Sequence, residues 1–217
     1  MQASPSLVVD VVSDVVCPWC FIGKRKLDAA LSAAGRAEPS LAVDVRWHPF
    51  QLNPDLPAGG ITRANYLAKK FGGAARAAEI YARVTSAGAA VDIPFRFDRI
   101  ERQPNTVDAH RLIGWAQQQG DAAALVERLF SAWFIEGRYI GDIDELARLA
   151  ADCGWSEQDA RAMLLSNALR EEVGNESREA TESGISGVPF FIFNGKTAVS
   201  GAQDPATLLE AIATARR

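Results

Sequence analysis

Residues 7–35, LVVDVVSDVVCPWCFIGKRKLDAALSAAG, decide the fold. The valine-rich start predicts a strand over residues 7–13, because β-branched side chains favour an extended backbone. After the CPWC segment, apolar residues recur with helical spacing and predict a helix that ends near Gly35. The apolar face of this helix runs back through Cys20, whereas Cys17 falls at or before the first turn. The stretch therefore predicts a strand that leads into a helix, with two cysteines at the junction.

The position of the two cysteines favours thiol–disulfide chemistry. A thiolate, not a thiol, attacks a disulfide, and free cysteine has a pKa of about 8.5. Unpaired amides and the positive end of the helix dipole stabilise an anion at Cys17, and Pro18 fits a first turn that needs no donor. Cys20 lies one turn further on and faces inward. We predict Cys17 as the attacking nucleophile and Cys20 as the thiol that resolves the mixed disulfide.

A Cys-x-x-Cys pair also forms half of many zinc sites, which need about two further ligands. Besides carboxylates, the remaining candidates are Cys153, His48 and His110, and none of them forms a second pair with suitable spacing. A pair that follows a strand and opens a helix favours the redox interpretation, so we expect no metal. Cys153 continues a predicted helical stripe and is interpreted as a small buried hydrophobe in preference to a redox group.

Composition limits the possible partners. The 217-residue chain has 48% hydrophobic and 23% charged residues, which is typical of a globular protein. Its net charge of -4 gives no bulk attraction to phosphate, so we expect no nucleic-acid partner. No apolar run approaches the roughly 18 residues of a membrane-spanning helix. The start of the chain lacks the basic residues of a signal peptide, and three cysteines are too few for a disulfide-stapled secreted scaffold. We therefore expect a cytoplasmic protein.

The rest of the sequence predicts an α/β architecture. Residues 41–47 alternate apolar and polar side chains and predict a second strand, and the order strand, helix, strand indicates a parallel pair. Prolines and glycines then interrupt the pattern, and a long, almost entirely helical segment follows. Asn194-Gly195 predicts a β-hairpin, and Asp204-Pro205 opens a last helix.

This order predicts two parts of the chain. Residues 1–60 and 184–217 carry the strands and the cysteine helix, and residues 61–183 form an inserted helical subdomain. Several residues are candidate N-caps of the inserted helices: Thr62, Asn105, Asp121, Asp144 and Ser156.

Several motifs together resemble a known family. SDVVCPWCFIGKRKL, VRWHPFQLNPDLP, PNTVDAHRL, ISGVPFFIFNGK and VSGAQ are similar to segments of the FrnE-like subgroup of DsbA-family oxidoreductases. The resemblance covers nearly the whole chain and implies a thioredoxin-like fold with an inserted all-helical subdomain. It also implies that Cys17 and Cys20 are the redox pair and that Pro189 is a cis-proline facing them.

Other residues near the motif have expected roles in binding. The residues alone favour a trans proline that opens an edge strand. The cis bond that the resemblance implies would instead turn the backbone toward the thiols, so that the N–H and C=O groups of Val188 could pair with an extended substrate. Pro18 and Trp19, inside the motif, are further candidates for substrate contact. DsbA has histidine where this chain has Trp19. Because tryptophan carries no positive charge to stabilise a thiolate, we predict a less oxidising redox couple than that of DsbA.

Two polar residues near the motif each have two possible roles, one functional and one structural. Asp14 lies three residues before Cys17 and either relays a proton when Cys20 deprotonates or caps the turn. His48 follows the second strand and either lines the substrate site or makes a structural hydrogen bond.

The leading function is that of a thiol–disulfide oxidoreductase acting on protein, peptide or small-molecule disulfides, without a metal or organic cofactor. The alternative is a glutathione-dependent isomerase or transferase, since the same fold resembles 2-hydroxychromene-2-carboxylate isomerases and kappa-class glutathione transferases. Those enzymes typically have serine where Cys17 stands, and glutathione would then be a co-substrate. A third class is a peptide-binding module without turnover. We expect a monomer or a homodimer.

Overall fold

The structure, a computed structural model, describes residues 7–217. The regular elements, in chain order, are β1 Leu7–Ser13, α1 Pro18–Ala37, β2 Val43–Pro49, β3 Ile61–Thr62, α2 Arg63–Phe71, α3 Ala74–Ala89, β4 Arg102–Gln103, α4 Val107–Gln117, α5 Ala123–Ser131, α6 Ile143–Asp152, α7 Glu157–Leu165, α8 Arg170–Glu182, β5 Phe190–Phe193, β6 Thr197–Ser200 and α9 Pro205–Ala215. A 3₁₀ turn forms at Phe97–Arg99 and a π-helical turn at Ala132–Glu136. No helix within residues 7–217 has the length and apolar character needed to cross a membrane.

The chain divides into two compact units. One comprises Met1–Phe50 with Glu176–Arg217, and the other comprises Gln51–Asn175. The boundaries predicted from the sequence, near residues 60 and 184, lie about ten residues after the two positions at which the chain passes between the units, Phe50 and Glu176. Proline and glycine residues mark the loop that follows the second strand, but they do not mark the residue at which the backbone leaves the first unit.

The first unit is built on a mixed four-stranded sheet in the order β2-β1-β5-β6. β1 pairs in parallel with β2 and antiparallel with β5, and the parallel pair is the one that the sequence pattern predicts. The second strand runs two residues later than expected, at Val43–Pro49 instead of 41–47. The amino-terminal strand is therefore central, and its carboxyl end leads directly into α1.

One face of this sheet packs against α1 and α9. Val9 lies opposite Phe193 and Val11 lies opposite Phe191, and all four are essentially inaccessible to solvent. The two helices contact each other above this face. Residues of α1 and α9 that share this core are Phe21, Ile22, Leu27, Ala30, Leu208 and Ile212. Because both sides of the contact are apolar, this burial fixes the position of α1 on the sheet.

The predicted hairpin at Asn194-Gly195 is confirmed. Both residues have positive φ, 51° and 64°, as a type I′ turn requires. The Asn194 side chain also joins two distant segments: its Oδ1 accepts the Val8 N–H at 2.8 Å and its Nδ2 donates to the Ala215 carbonyl at 3.2 Å. This one amide ties the first strand to the end of the last helix.

The second unit is mostly helical, with some differences from the prediction. Thr62 and Ser156 are N-caps with side-chain hydrogen bonds, as expected. Asp142 rather than Asp144 caps α6, and Thr106 rather than Asn105 precedes α4. The expected helical stretch also contains the short antiparallel ribbon of β3 and β4. Asp142 and Asp144 are equally good N-cap residue types, so the sequence alone does not show which of the two caps the helix.

A fully buried arginine holds the end of α7. Arg111, on α4, donates to the carbonyl oxygens of Leu164 at 3.1 Å, Ser166 at 2.8 Å and Ala168 at 2.7 Å. It also pairs with Asp108 at 2.6 Å. The guanidinium therefore satisfies carbonyls that the end of a helix leaves without intrahelical donors.

Candidate active site

Cys17 is the N-cap residue of α1. Its backbone is extended, with φ -93° and ψ 114°, and Pro18 is the first helical residue. An N-cap side chain normally accepts a hydrogen bond from the first turn, but the Cys17 side chain makes no such bond. The sulfur lies at the positive, N-terminal end of the α1 dipole. This is the placement that the sequence predicts.

Cys20 lies one turn further along α1 and is 1% exposed. Burial raises the pKa of the Cys20 thiol well above its ordinary value, and the hydrogen bond and charge of Cys17 raise it further. The hydroxyl of Ser13 and the backbone of Asp14 act in the opposite direction on this pKa. Cys20 is therefore a protonated thiol under ordinary conditions. All the cysteines of the chain are free in this structure.

The segment that precedes β5 faces Cys17. The Val188–Pro189 peptide bond is cis, and Cys17 Sγ donates to the Val188 carbonyl oxygen at 3.6 Å. The Pro189 carbonyl in turn accepts the Gly201 N–H at 2.8 Å. The structure thus brings together residues 171 positions apart in the chain.

Asp14 is completely buried between β1 and α1. One of its carboxylate oxygens accepts the Val16 N–H at 3.4 Å, and its carbonyl accepts the Cys17 N–H at 2.9 Å. Asp14 therefore holds the turn that carries Cys17, which is the structural interpretation of this residue. Its backbone also lies close enough to the Cys20 thiol to influence it, so the relay role stays a prediction.

Trp19 is the exposed aromatic of the motif. Its side chain is 42% exposed, whereas the cysteines on either side are buried. An exposed indole in the first turn of α1 offers an apolar surface beside Cys17. Pro18 is half-buried next to it. The substrate contacts expected for both residues stay predictions.

His48 lies between two carboxylates. Its Nε2 is 2.9 Å from Asp10 Oδ1, on β1, and its Nδ1 is hydrogen-bonded to Glu176 Oε1, on α8. The bond with Glu176 is the largest cause of a raised His48 pKa; desolvation lowers it and the bond with Asp10 raises it. Both ring nitrogens are engaged within the protein, which favours the structural interpretation over substrate binding.

The His48 pair predicts a pH-dependent contribution to stability. A raised folded-state pKa stabilises the protein fully below about pH 6.5, the ordinary value, and this stabilisation is lost as the pH rises through the folded-state value. We expect the difference in unfolding free energy between wild type and His48→Gln to be larger at about pH 6 than at about pH 9. Urea unfolding at both pH values measures it, and equal differences at the two pH values would contradict the prediction.

Glu176→Gln is the matched control for this measurement. It removes the strongest partner of His48 but keeps the side-chain shape, so it is expected to reduce the pH dependence without abolishing it, since Asp10 remains. Asp10 and Glu176 are the carboxylates that face His48 from β1 and α8.

Two residues near the thiols were not among the candidates from the sequence. Ser13 is buried at the end of β1, and its side-chain hydrogen bond lowers the pKa of the Cys20 thiol. Its position directly before Asp14 was the available signal. Gly23 lies one turn after Cys20, and a Cβ built there would stand 2.7 Å from Pro189 Cγ. Its spacing of three residues from Cys20 was the signal in that case.

The third cysteine belongs to the other unit. Cys153 is the half-buried C-cap of α6, where burial and the charge of Asp152 raise its pKa. It is more exposed than the sequence stripe predicts, because α6 ends one residue before it. Within residues 7–217, no group of three or more His, Cys, Asp and Glu residues is arranged to hold a metal ion.

The chain matches a known family model and resembles several solved structures. The family model described as DSBA-like thioredoxin domain matches residues 8–213. A probable DsbA oxidoreductase from Streptomyces coelicolor is 30% identical in sequence, with a TM-score of 0.83 over 96% of this chain and 89% of that protein.

Two more distant structures show the same fold. A 2-hydroxychromene-2-carboxylate isomerase is 19% identical, with a TM-score of 0.68 over 95% of both chains. The cytosolic disulfide reductase DsbM from Pseudomonas aeruginosa, solved with GSH, is 19% identical, with a TM-score of 0.58 over 96% of this chain and 95% of that one. At this level of identity, the likeness concerns the fold.

Proposed function

Because the chain belongs to the family of DSBA-like thioredoxin domains, we propose that Cys17 and Cys20 form a redox pair that exchanges disulfides with protein or peptide substrates. The general activity, that of a DsbA-like thiol oxidoreductase, follows from the family and from the relative in Streptomyces coelicolor. The assignment of individual steps to residues rests on the geometry at the start of α1.

The first step uses Cys17 as the nucleophile. Its thiolate attacks one sulfur of a substrate disulfide, the substrate S–S bond breaks, and the released sulfur leaves as a thiolate that takes up a proton. Cys17 and the substrate are then joined in a mixed disulfide. The position of Cys17 at the helix N-terminus supports this role, because the thiolate is the form stabilised there.

The second step uses Cys20. It loses its proton and attacks Cys17 Sγ, a Cys17–Cys20 bond forms, and the second substrate sulfur leaves. Two electrons pass from the cysteine pair to the substrate, and the reverse sequence oxidises a substrate dithiol. The raised pKa of Cys20 supports the order of events, because a protonated thiol does not compete as the first nucleophile.

Substrate placement is assigned to Val188 and Trp19. The Val188 carbonyl already accepts a hydrogen bond from Cys17, so a peptide that pairs with the Val188 backbone lies alongside the reacting sulfur. The exposed face of Trp19 supplies apolar contact on the side of the helix start. Asp14, buried next to the pair, is the proposed group through which the Cys20 proton moves.

A single observation carries this proposal: Cys17 is the N-cap of α1, 3.6 Å from the Val188 carbonyl, and Cys20 follows one turn later. The alternative, a glutathione-dependent isomerase or transferase, is supported by the shared fold of DsbM with GSH and of the isomerase. It requires a single activating group at position 17, whereas a second thiol within reach favours disulfide exchange.

The redox couple provides the direct test. Equilibrated with glutathione buffers and then alkylated, the protein is expected to form an internal Cys17–Cys20 disulfide. Because Trp19 supplies no positive charge, we expect a reduction potential more negative than the roughly -120 mV of DsbA. Mass spectrometry of the alkylated species measures the reduced fraction at each buffer ratio. A protein that never forms the internal disulfide would exclude the proposed cycle, and a potential at or above that of DsbA would exclude the role given to Trp19.

A further inference from the structure

We propose that Gly23 is a positioning residue of the disulfide exchange: its missing side chain lets α1 approach the Val188–Pro189 segment and thereby sets the spacing between the Cys17 sulfur and the Val188 backbone. This inference rests on the proposed function, since the spacing has a consequence only if Cys17 reacts with a substrate placed along Val188.

The close approach at Gly23 leaves no room for a methyl group. A Cβ there would lie 2.7 Å from Pro189 Cγ and 3.2 Å from Phe191 Cζ, and real Cβ atoms essentially never approach a heavy atom below 3.0 Å. The Pro189 ring is closed onto its own backbone nitrogen, so it cannot swing aside as a long side chain would. Phe191 is fully buried in the close-packed core, so its ring is surrounded by neighbouring side chains.

A shift of Pro189 is transmitted to the reacting sulfur. Val188 is bonded directly to Pro189, and its carbonyl oxygen is the atom 3.6 Å from Cys17 Sγ. On the other side of the contact, Gly23 belongs to the same helix as Cys20, which begins at Pro18 directly after Cys17. The Gly23–Pro189 contact is therefore the place where the helix that carries the thiols meets the segment that receives the substrate.

The helix contains a second glycine that serves as a reference. Glycine is a poor helix former, so its presence inside a helix calls for a local reason. A Cβ at Gly35 would meet nothing within 4 Å, and the residue lies near the end of α1. Alanine at position 35 is therefore accommodated, whereas alanine at position 23 is not.

The test compares Gly23→Ala with Gly35→Ala on two substrates. A peptide disulfide that pairs with Val188 needs the correct spacing, whereas Ellman's reagent, a small aromatic disulfide, needs only the Cys17 thiolate. A displacement of about 1 Å is expected to lower kcat/KM for the peptide about 10- to 100-fold in Gly23→Ala. The same variant is expected to keep most of its rate with Ellman's reagent, and Gly35→Ala is expected to match wild type with both.

Two results would overturn the proposal in this comparison. Equal peptide kinetics in Gly23→Ala and Gly35→Ala would show that the contact does not set the spacing. Equal losses with the peptide and with Ellman's reagent would show a general defect of the thiol or of the fold. A wild-type protein inactive toward both disulfides would instead refute the proposed function, a result recognisable before any variant is made.

A double-substitution cycle keeps the test valid if Gly23→Ala is poorly folded. Pro189→Ala removes Cγ, the atom nearest to the position of the added methyl group, and leaves the Cβ contact of 3.4 Å, an ordinary van der Waals distance. In that background, Gly23→Ala is expected to lower the thermal stability less than it does in wild type, because only the 3.2 Å contact with Phe191 Cζ remains tight. A loss as large as in the wild-type background would place its cause elsewhere.

Discussion

Cys17→Ser is expected no longer to catalyse the reduction of insulin disulfides by dithiothreitol. We expect its catalysed rate to fall on the order of a thousandfold or more, as it does when other activated nucleophiles are removed. The hydroxyl of serine is far less acidic than a thiol, so the amides and dipole at the start of α1 do not produce an anion there. The measurement is the turbidity of precipitating insulin B chain, with and without the protein.

Cys20→Ser is the informative partner of this variant. It keeps the Cys17 nucleophile, so attack on the substrate proceeds, but no internal thiol releases the product. We expect the mixed disulfide to accumulate, visible as a protein whose mass has increased by that of the substrate and that reverts on addition of a thiol reagent. Cys153→Ala, in the other unit, is the matched control and is expected to behave as wild type.

The same pair of variants separates the two candidate functions. Glutathione-dependent transfer or isomerisation that survives Cys20→Ser would favour the alternative, because a single activated group is enough for it. Insulin reduction that survives Cys17→Ser would contradict both the nucleophile assignment and the proposed cycle.

Arg111→Met is expected to destabilise the protein by about 3–5 kcal/mol, the range for removal of one partner from a buried, hydrogen-bonded ionic group. The side chain is completely buried, and its loss removes the donor shared by the carbonyls of Leu164, Ser166 and Ala168. Methionine fills a similar volume, so the effect reports lost hydrogen bonds and not an empty cavity. Chemical denaturation followed by circular dichroism measures the change.

Arg170→Met provides the comparison. Arg170 also pairs with Asp108, at 2.8 Å, but its side chain is 46% exposed. An exposed ion pair contributes at most about 1 kcal/mol, so this variant is expected to lose no more than that. Similar losses for the two arginines would show that the Asp108 pair, and not the carbonyl contacts, carries the stability at this site.

The local features of the active site follow from adjacent residues. One short stretch contains a valine-rich strand, a proline at the first helical position and a Cys-x-x-Cys pair. The valines favour an extended backbone and the proline favours the start of a helix, and both preferences depend only on neighbouring residues. The placement of Cys17 at the N-cap of α1 was therefore predictable. The Asn194 hairpin was predictable for the same reason, because positive φ at both turn residues is a local requirement.

The long-range features were less accessible. The approach of Val188 to Cys17 came from family resemblance, because no local rule connects residues so far apart in the chain. Arg111 gave no signal of burial, since an arginine in an amphipathic helix is normally expected at the surface. The bonds of His48 to Asp10 and Glu176 depend on strand register and on the position of α8, and neither can be read from His48 alone.

The Asn194 amide has a consequence for how the chain can be rearranged. Because one side chain bonds to both Val8 and Ala215, the start of β1 and the end of α9 lie beside each other at the hairpin tip. A short linker across this gap would join the two without crossing the thiols, which lie at the opposite, carboxyl end of β1. A fusion of the two at this point leaves the β1 register intact, because that register is set by the pairing of β1 with β2 and β5.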